Sequence, residues 1–260
     1  MKISSILHEL HDSKKKFEVL LLEDEELDSF NTNKLLQIAF SNKNPEIRIK
    51  AIKIVGERKE SRALTAFIQI LQSKTNVNLR IQSAINLAEL GDPRGFDALV
   101  MILRSSNEPI ALRAICVTSI ARLNQISALN IYMDLLHDTD NANILLISIL
   151  DQLIILVEHI DVEHQKRIAN ELETFLEYPE YRKSWNLLLT LAKTAAIYRS
   201  INGVKLLLYY KEKLSSDPNN NHYIEGIESV LEDLKSHFSL KSSAPDYLLY
   251  EKIESEIDLQ

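Results

Sequence analysis

The sequence predicts an all-α protein, an alpha-alpha superhelix (α-solenoid) of stacked helical hairpins. Three observations predict it: a segment that returns at a fixed offset, apolar residues spaced as on helices, and a scarcity of turn residues. Residues 48–71 (RIKAIKIVGERKESRALTAFIQIL) superimpose without a gap on residues 80–103 (RIQSAINLAELGDPRGFDALVMIL) at an offset of 32, and residues 113–136 follow at a further offset of 33. The matched positions are chemically alike: Val55, Leu87 and Ile120; Leu64, Phe96 and Leu129; Phe67, Leu99 and Tyr132; Leu71, Leu103 and Leu136. Five glycines and six prolines in 260 residues leave little turn chemistry.

Taken in order, residues 3–22 are expected to form an amphipathic helix. Residues 33–40 match the second helix of a preceding unit, Leu35 falling where Phe67 does and Ile38 where Ile70 does. Within each full copy the apolar residues recur as Ile49, Ile52 and Val55 and then, after a polar break, as Leu64, Phe67, Ile68 and Leu71, so each copy is two short helices. Asn44 before Pro45 reads as an N-cap with proline in the first turn, and Asn107 with Pro109 repeats the signal. Gly91-Asp92-Pro93 reads as a C-terminal glycine, a cap and a fresh start. Residues 144–157 are apolar nearly all round, which predicts burial on several sides. Helices follow at 167–176, 185–199, 204–214 and 223–238, parted by Tyr178-Pro179, residues 200–203 and residues 215–221. Leu249, Ile253 and Ile257 then sit at spacing four in an acidic tail, where residues 246–260 hold five acids and one base. A cap on the stack is the expected role, a separable docking segment the alternative. The organisation expected is an N-terminal helical cap or degenerate repeat over 1–43, three repeats over 44–138, diverged helical repeats over 139–240 and the acidic segment 241–260.

A two-helix unit cannot bury its apolar stripe alone, so neighbours must stack. The ankyrin TPLH signature and the tetratricopeptide pattern are both missing. Asn44-Pro45-x-Ile47-Arg48-x-x-Ala51, Asn78-Leu79-Arg80-x-x-Ser83-Ala84 with Leu90-Gly91-Asp92-Pro93, and Ala111-Leu112-Arg113-x-x-Cys116 resemble the short bacterial HEAT-like repeats of the phycobilin-lyase type. The resemblance covers residues 44–138. It implies a helical-repeat fold and leaves function open, since such repeats serve as scaffolds, adaptors, lyases and inhibitors.

Thirty basic against 37 acidic side chains give a net charge of -7, which disfavours a nucleic-acid partner. The charge is uneven: residues 44–138 hold 12 Lys/Arg against 9 Asp/Glu, a net of +3, while residues 139–260 hold 12 against 20, a net of -8. The lone Cys116 cannot form an internal disulfide and falls at a small-residue packing position, so an inert thiol in a reducing cytoplasm is expected. The longest apolar run is shorter than the ~20 residues of a membrane span, and the first residues do not read as a signal peptide. His8 and His11 are three apart without the HExxH spacing, and His159 and His164 suit a helix end better than a ligand pair. No glycine-rich phosphate loop is present. No catalytic residue, metal or cofactor is therefore expected. Arg48, Arg80 and Arg113 head the first helices, where a bidentate donor fits a structural task on a neighbouring unit better than a ladder for phosphates.

These readings favour a non-catalytic scaffold or adaptor that holds a protein or peptide partner on the concave face formed by the second helices. The expected contact strip is Thr65, Gln69, Asp97, Met101, Asn130 and Asp134, bordered by Arg62 and Arg94. It falls at the repeat offsets of the core yet shares no chemistry between copies. The alternative implied by the resemblance is a phycobilin-lyase-like tetrapyrrole binder, for which Tyr132, Trp185, Tyr198, Tyr209 and Tyr210 would supply aromatic walls. A HEAT-like nucleic-acid enzyme is a third reading, disfavoured by charge.

Overall fold

The computed structural model describes residues 24–138, 142–178, 181 and 184–258. The helix expected over 3–22, with His8 and His11, lies outside the described residues. Among the described residues the chain is all α, with fourteen α-helices and no strand. They fall into two compact units that part between Asn124 and Gln125, within the third sequence copy. The first unit holds α1 (Asp24–Ser29), α2 (Thr32–Ser41), α3 (Pro45–Glu57), α4 (Leu64–Gln72), α5 (Val77–Leu90), α6 (Phe96–Arg104) and α7 (Ile110–Leu123). The second holds α8 (Gln125–His137), α9 (Asn143–Leu156), α10 (Val162–Glu177), α11 (Trp185–Ile197), α12 (Ile201–Leu214), α13 (Asn221–His237) and α14 (Asp246–Asp258).

Helix starts in the first unit follow the repeat. The Asn44 side chain accepts from the Glu46 N–H at 2.9 Å, and Asn76, 32 residues on, accepts from the Asn78 N–H at 2.9 Å. The third copy departs from this. Its cap position falls on Pro109, which has no side-chain acceptor, so Asn107 does not cap α7 as the sequence suggests. A 3₁₀ turn opens two of the second helices, Ser61–Ala63 before α4 and Pro93–Gly95 before α6. Gly91 ends α5 in the left-handed region at φ 69°, where a side chain is disfavoured.

Lys59 holds the same repeat position after α3 at φ 49°. A Cβ is strained there, so Lys59→Gly is expected to stabilise the chain by about 0.5–1 kcal/mol, the relief of strain outweighing glycine's extra unfolded-state entropy. Chemical denaturation reads the shift.

The first helices α3, α5 and α7 pack side by side, and each second helix lies closest to the first helix of the next copy: α2 on α3, α4 on α5, α6 on α7. The tightest hairpin is thus formed across the sequence copies rather than within one. Ala51, Ser83 and Cys116, at equivalent positions of the first helices, are fully buried.

In the second unit α11 is central, packing on α9, α10, α12 and α13. Residues 201–203, expected as a break, belong to the first turn of α12. Gly203 is there because α11 is close: a Cβ on it would lie 2.5 Å from the Ala192 carbonyl oxygen. Helix α9 buries one broad face rather than all sides, leaving Ile144 and Ile155 exposed beside Asp151. Helix α14 packs on α12 and α13 through the fully buried Leu249 and Ile253. Asp246 fastens its start, 2.7 Å from Lys235 Nζ and 3.0 Å from Lys211 Nζ.

Candidate functional site

The second helices of the first unit present a regular outer face. On α4, Leu64, Phe67, Ile70 and Leu71 are buried while Thr65 and Gln69 are exposed; on α6, Ala98, Leu99, Ile102 and Leu103 are buried while Asp97 and Met101 are exposed. The 3.6-residue period produces this split directly. The face continues onto α2, which sequence reasoning missed. Asn33, Gln37 and Phe40 stand 32 residues before Thr65, Gln69 and Gln72, and all six are exposed. The signal was present, because Leu35 already aligned with Phe67 and the offset could be carried backwards along the whole helix. Phe40 is 46% and Met101 53% exposed, two large apolar groups on an otherwise polar face.

The bordering arginines are engaged. Arg62 pairs with Glu60, whose carboxylate also accepts from Thr32 Oγ1 at 2.8 Å. Arg94 grips Asp92 through Nε at 2.9 Å and Nη2 at 2.5 Å. The Arg94 side chain, with its backbone N–H, holds the Asp92 carboxyl down at about 2. The edge of the strip is therefore formed by closed ion pairs and is nearly neutral. In the second unit Asn130 and Asp134 are exposed on α8, and Asn130 Oδ1 accepts from Arg167 Nη2 at 2.8 Å.

The arginine series is structural. Arg48 Nε donates to the Ala39 carbonyl at 2.6 Å, Arg80 Nε to Leu71 at 2.8 Å and Arg113 Nε to Leu103 at 2.8 Å. Ala39, Leu71 and Leu103 are themselves 32 residues apart, each in the last turn of a second helix, where carbonyls lack an intrahelical donor and a cation is favoured. Each first helix thereby satisfies the end of the second helix before it. The fourth carbonyl of the series, Leu136 at the end of α8, is taken instead by the buried Tyr181 hydroxyl at 2.5 Å. In the diverged part of the chain a neutral hydroxyl thus does what a guanidinium does in the repeats.

Residues 32–116, from α2 to the middle of α7, match the family model of HEAT repeats. Over these residues the chain is an array of HEAT-like repeats. No curated protein sequence matches it.

Within the HEAT-like array the one thiol is sealed. Cys116 is fully buried, and burial pushes it up to about 12, so it is not a thiolate at neutral pH. Among the described residues no three His, Cys, Asp or Glu side chains gather as metal ligands, and no helix is long and apolar enough to cross a membrane. His164 lies against the Asp161 carboxylate at 2.9 Å, in the first turn of α10. The five aromatics expected as tetrapyrrole walls fall into two buried residues and one cluster of rings. Tyr132 and Tyr198 are buried, and the Tyr198 hydroxyl donates to the Leu153 carbonyl at 2.7 Å. Trp185 meets Tyr210 and Tyr223 edge to face, and the exposed Tyr209 meets Tyr210 edge to face as well. Of these five, Tyr198 alone lines either of the two clefts described in the second unit.

Proposed function

We propose that the protein is a non-catalytic scaffold whose HEAT-like array holds a protein segment on the outer face of α2, α4 and α6. The observation that carries this reading is the contrast between two sets of residues at one repeat offset. Core positions hold similar apolar side chains in every copy. Exposed positions vary between copies, as Asn33, Thr65 and Asp97 do, or Phe40, Gln72 and Arg104. A stack needs only that the outer face be soluble. Two large apolar groups there, Phe40 and Met101, are anchors of the kind that dominate protein contacts, set among polar groups that give specificity. The arginines at its border are paired with carboxylates, which disfavours a polyanion partner.

The test is affinity capture from native extract with the wild-type chain and with a Phe40→Ala, Asp97→Ala, Met101→Ala triple variant. Exposed substitutions shift stability by about ±0.5 kcal/mol each, so the variant is expected to melt close to wild type. Loss of anchors worth about 2 kcal/mol each weakens a partner roughly thirtyfold per anchor. A variant that melts normally and retains every partner removes this face from consideration.

A further inference from the structure

In the second unit, the turns after α11 and α13 are built alike. The Arg199 N–H donates to the Ala196 carbonyl and the Ser200 N–H to Ala195, both at 2.9 Å; the Ser239 N–H donates to Ser236 at 3.1 Å and the Leu240 N–H to Lys235 at 2.8 Å. This paired bonding closes a helix through one left-handed residue, a position glycine usually fills. Here Arg199 (φ 65°) and Ser239 (φ 58°) fill it. Among the described residues three non-glycine positions have positive φ, and these two line the same cleft, about 360 Å³ in volume. Residues held in this region persist where the surroundings over-determine them, and they gather at sites that hold ligands.

The side chains that line the cleft are richer in donors than in acceptors. Both oxygens of Glu256 of α14 are engaged, Oε2 by Arg199 Nε at 3.1 Å and Oε1 by Lys252 Nζ at 3.2 Å. Arg199 Nη1 donates to Gln165 Oε1 at 3.1 Å. The second terminal nitrogen of Arg199, the Ser239 hydroxyl, the His237 ring and the rest of the Lys252 ammonium remain, with Glu158 as the remaining carboxylate on the wall. The grip on Glu256 shows that Arg199 and Lys252 converge on an oxyanion. The remaining Nη2 of Arg199 is a charge-assisted donor for a second one. We propose that this cleft binds a small oxyanion, a carboxylate or phosphate group, with Arg199 as principal donor and Ser239 and Lys252 as supporting donors. The site is independent of the protein-binding face in the first unit.

The test is an NMR titration of the full chain with inorganic phosphate, with succinate and with sodium chloride at matched ionic strength, following the Ser239 amide and the His237 ring. Saturable shifts with phosphate or succinate and none with chloride are expected, and whichever anion saturates first names the class. Arg199→Gly adopts the left-handed turn without strain and loses the guanidinium, so affinity is expected to fall about tenfold or more. Lys252→Met leaves Arg199 on Glu256 and is expected to weaken binding about threefold or more. Ser239→Gly should melt above wild type while binding more weakly, which a purely structural turn would not show. Equal shifts with chloride, or wild-type affinity in Arg199→Gly and Lys252→Met, overturn the proposal.

Discussion

Arg80→Ala is expected to cost about 3 kcal/mol, a fall in melting temperature of roughly 6–12 °C for a chain of this size. Arg80 is 6% exposed and serves two neighbours at once, the Leu71 carbonyl through Nε and Glu108 through Nη1 at 2.7 Å. Truncation leaves a helix-end carbonyl without its donor and a carboxylate without its cation, in addition to a void between α4 and α5. Its other terminal nitrogen, Nη2, is buried without an acceptor, so the arginine already carries a desolvation cost, offset by its two bonds. The pH dependence follows. The Arg80 hydrogen bond holds the Glu108 carboxyl below its ordinary value. That contribution is present above the unfolded carboxylate range and is lost as pH falls through the lowered folded value. Wild type should therefore lose more stability than Arg80→Ala between neutral and acid pH. Parallel pH–stability curves for the two would show that the pair contributes nothing.

Gly203→Ala is expected to destabilise the second unit by about 3 kcal/mol, at the upper end of the overpacking range. The new methyl would stand 2.5 Å from the Ala192 carbonyl oxygen, 2.9 Å from the Ala196 nitrogen and 3.2 Å from the Ala195 Cβ. Two of the three are main-chain atoms of α11, which no rotamer change can move aside, so α11 and α12 must separate along their contact. Gly91→Ala is the control: nothing lies within 4 Å of its Cβ, and only the left-handed backbone resists it. It should cost about 1 kcal/mol. If both substitutions cost the same, close helix approach is not what Gly203 provides.

Repetition made the first unit legible. Three copies fix the core positions, the small residues between first helices and the arginine at the head of each, because the same packing problem is solved three times at one offset. The single-copy features were not legible. Residues 200–203 read as a break from composition, whereas the glycine answers a close approach by a helix that the local sequence does not reveal. Tyr181 replaces the arginine on the Leu136 carbonyl across 45 residues, with no motif to announce it. The cleft at Arg199 draws residues from five separate segments, and two left-handed turns without glycine gave no signal. Among the strip residues, exposure of Thr65, Gln69, Asp97 and Met101 followed from helical period alone. The engagement of Arg62 and Arg94 by Glu60 and Asp92 depended on a 3₁₀ turn whose geometry the period does not specify.

The most direct measurement of the central claim is amide hydrogen exchange on the free chain and on the chain bound to its captured partner. The account predicts that exchange slows about tenfold or more in α2, α4 and α6, with the second unit unchanged. Protection confined to α9, α10 or α14, with α4 and α6 exchanging as in the free chain, would contradict it.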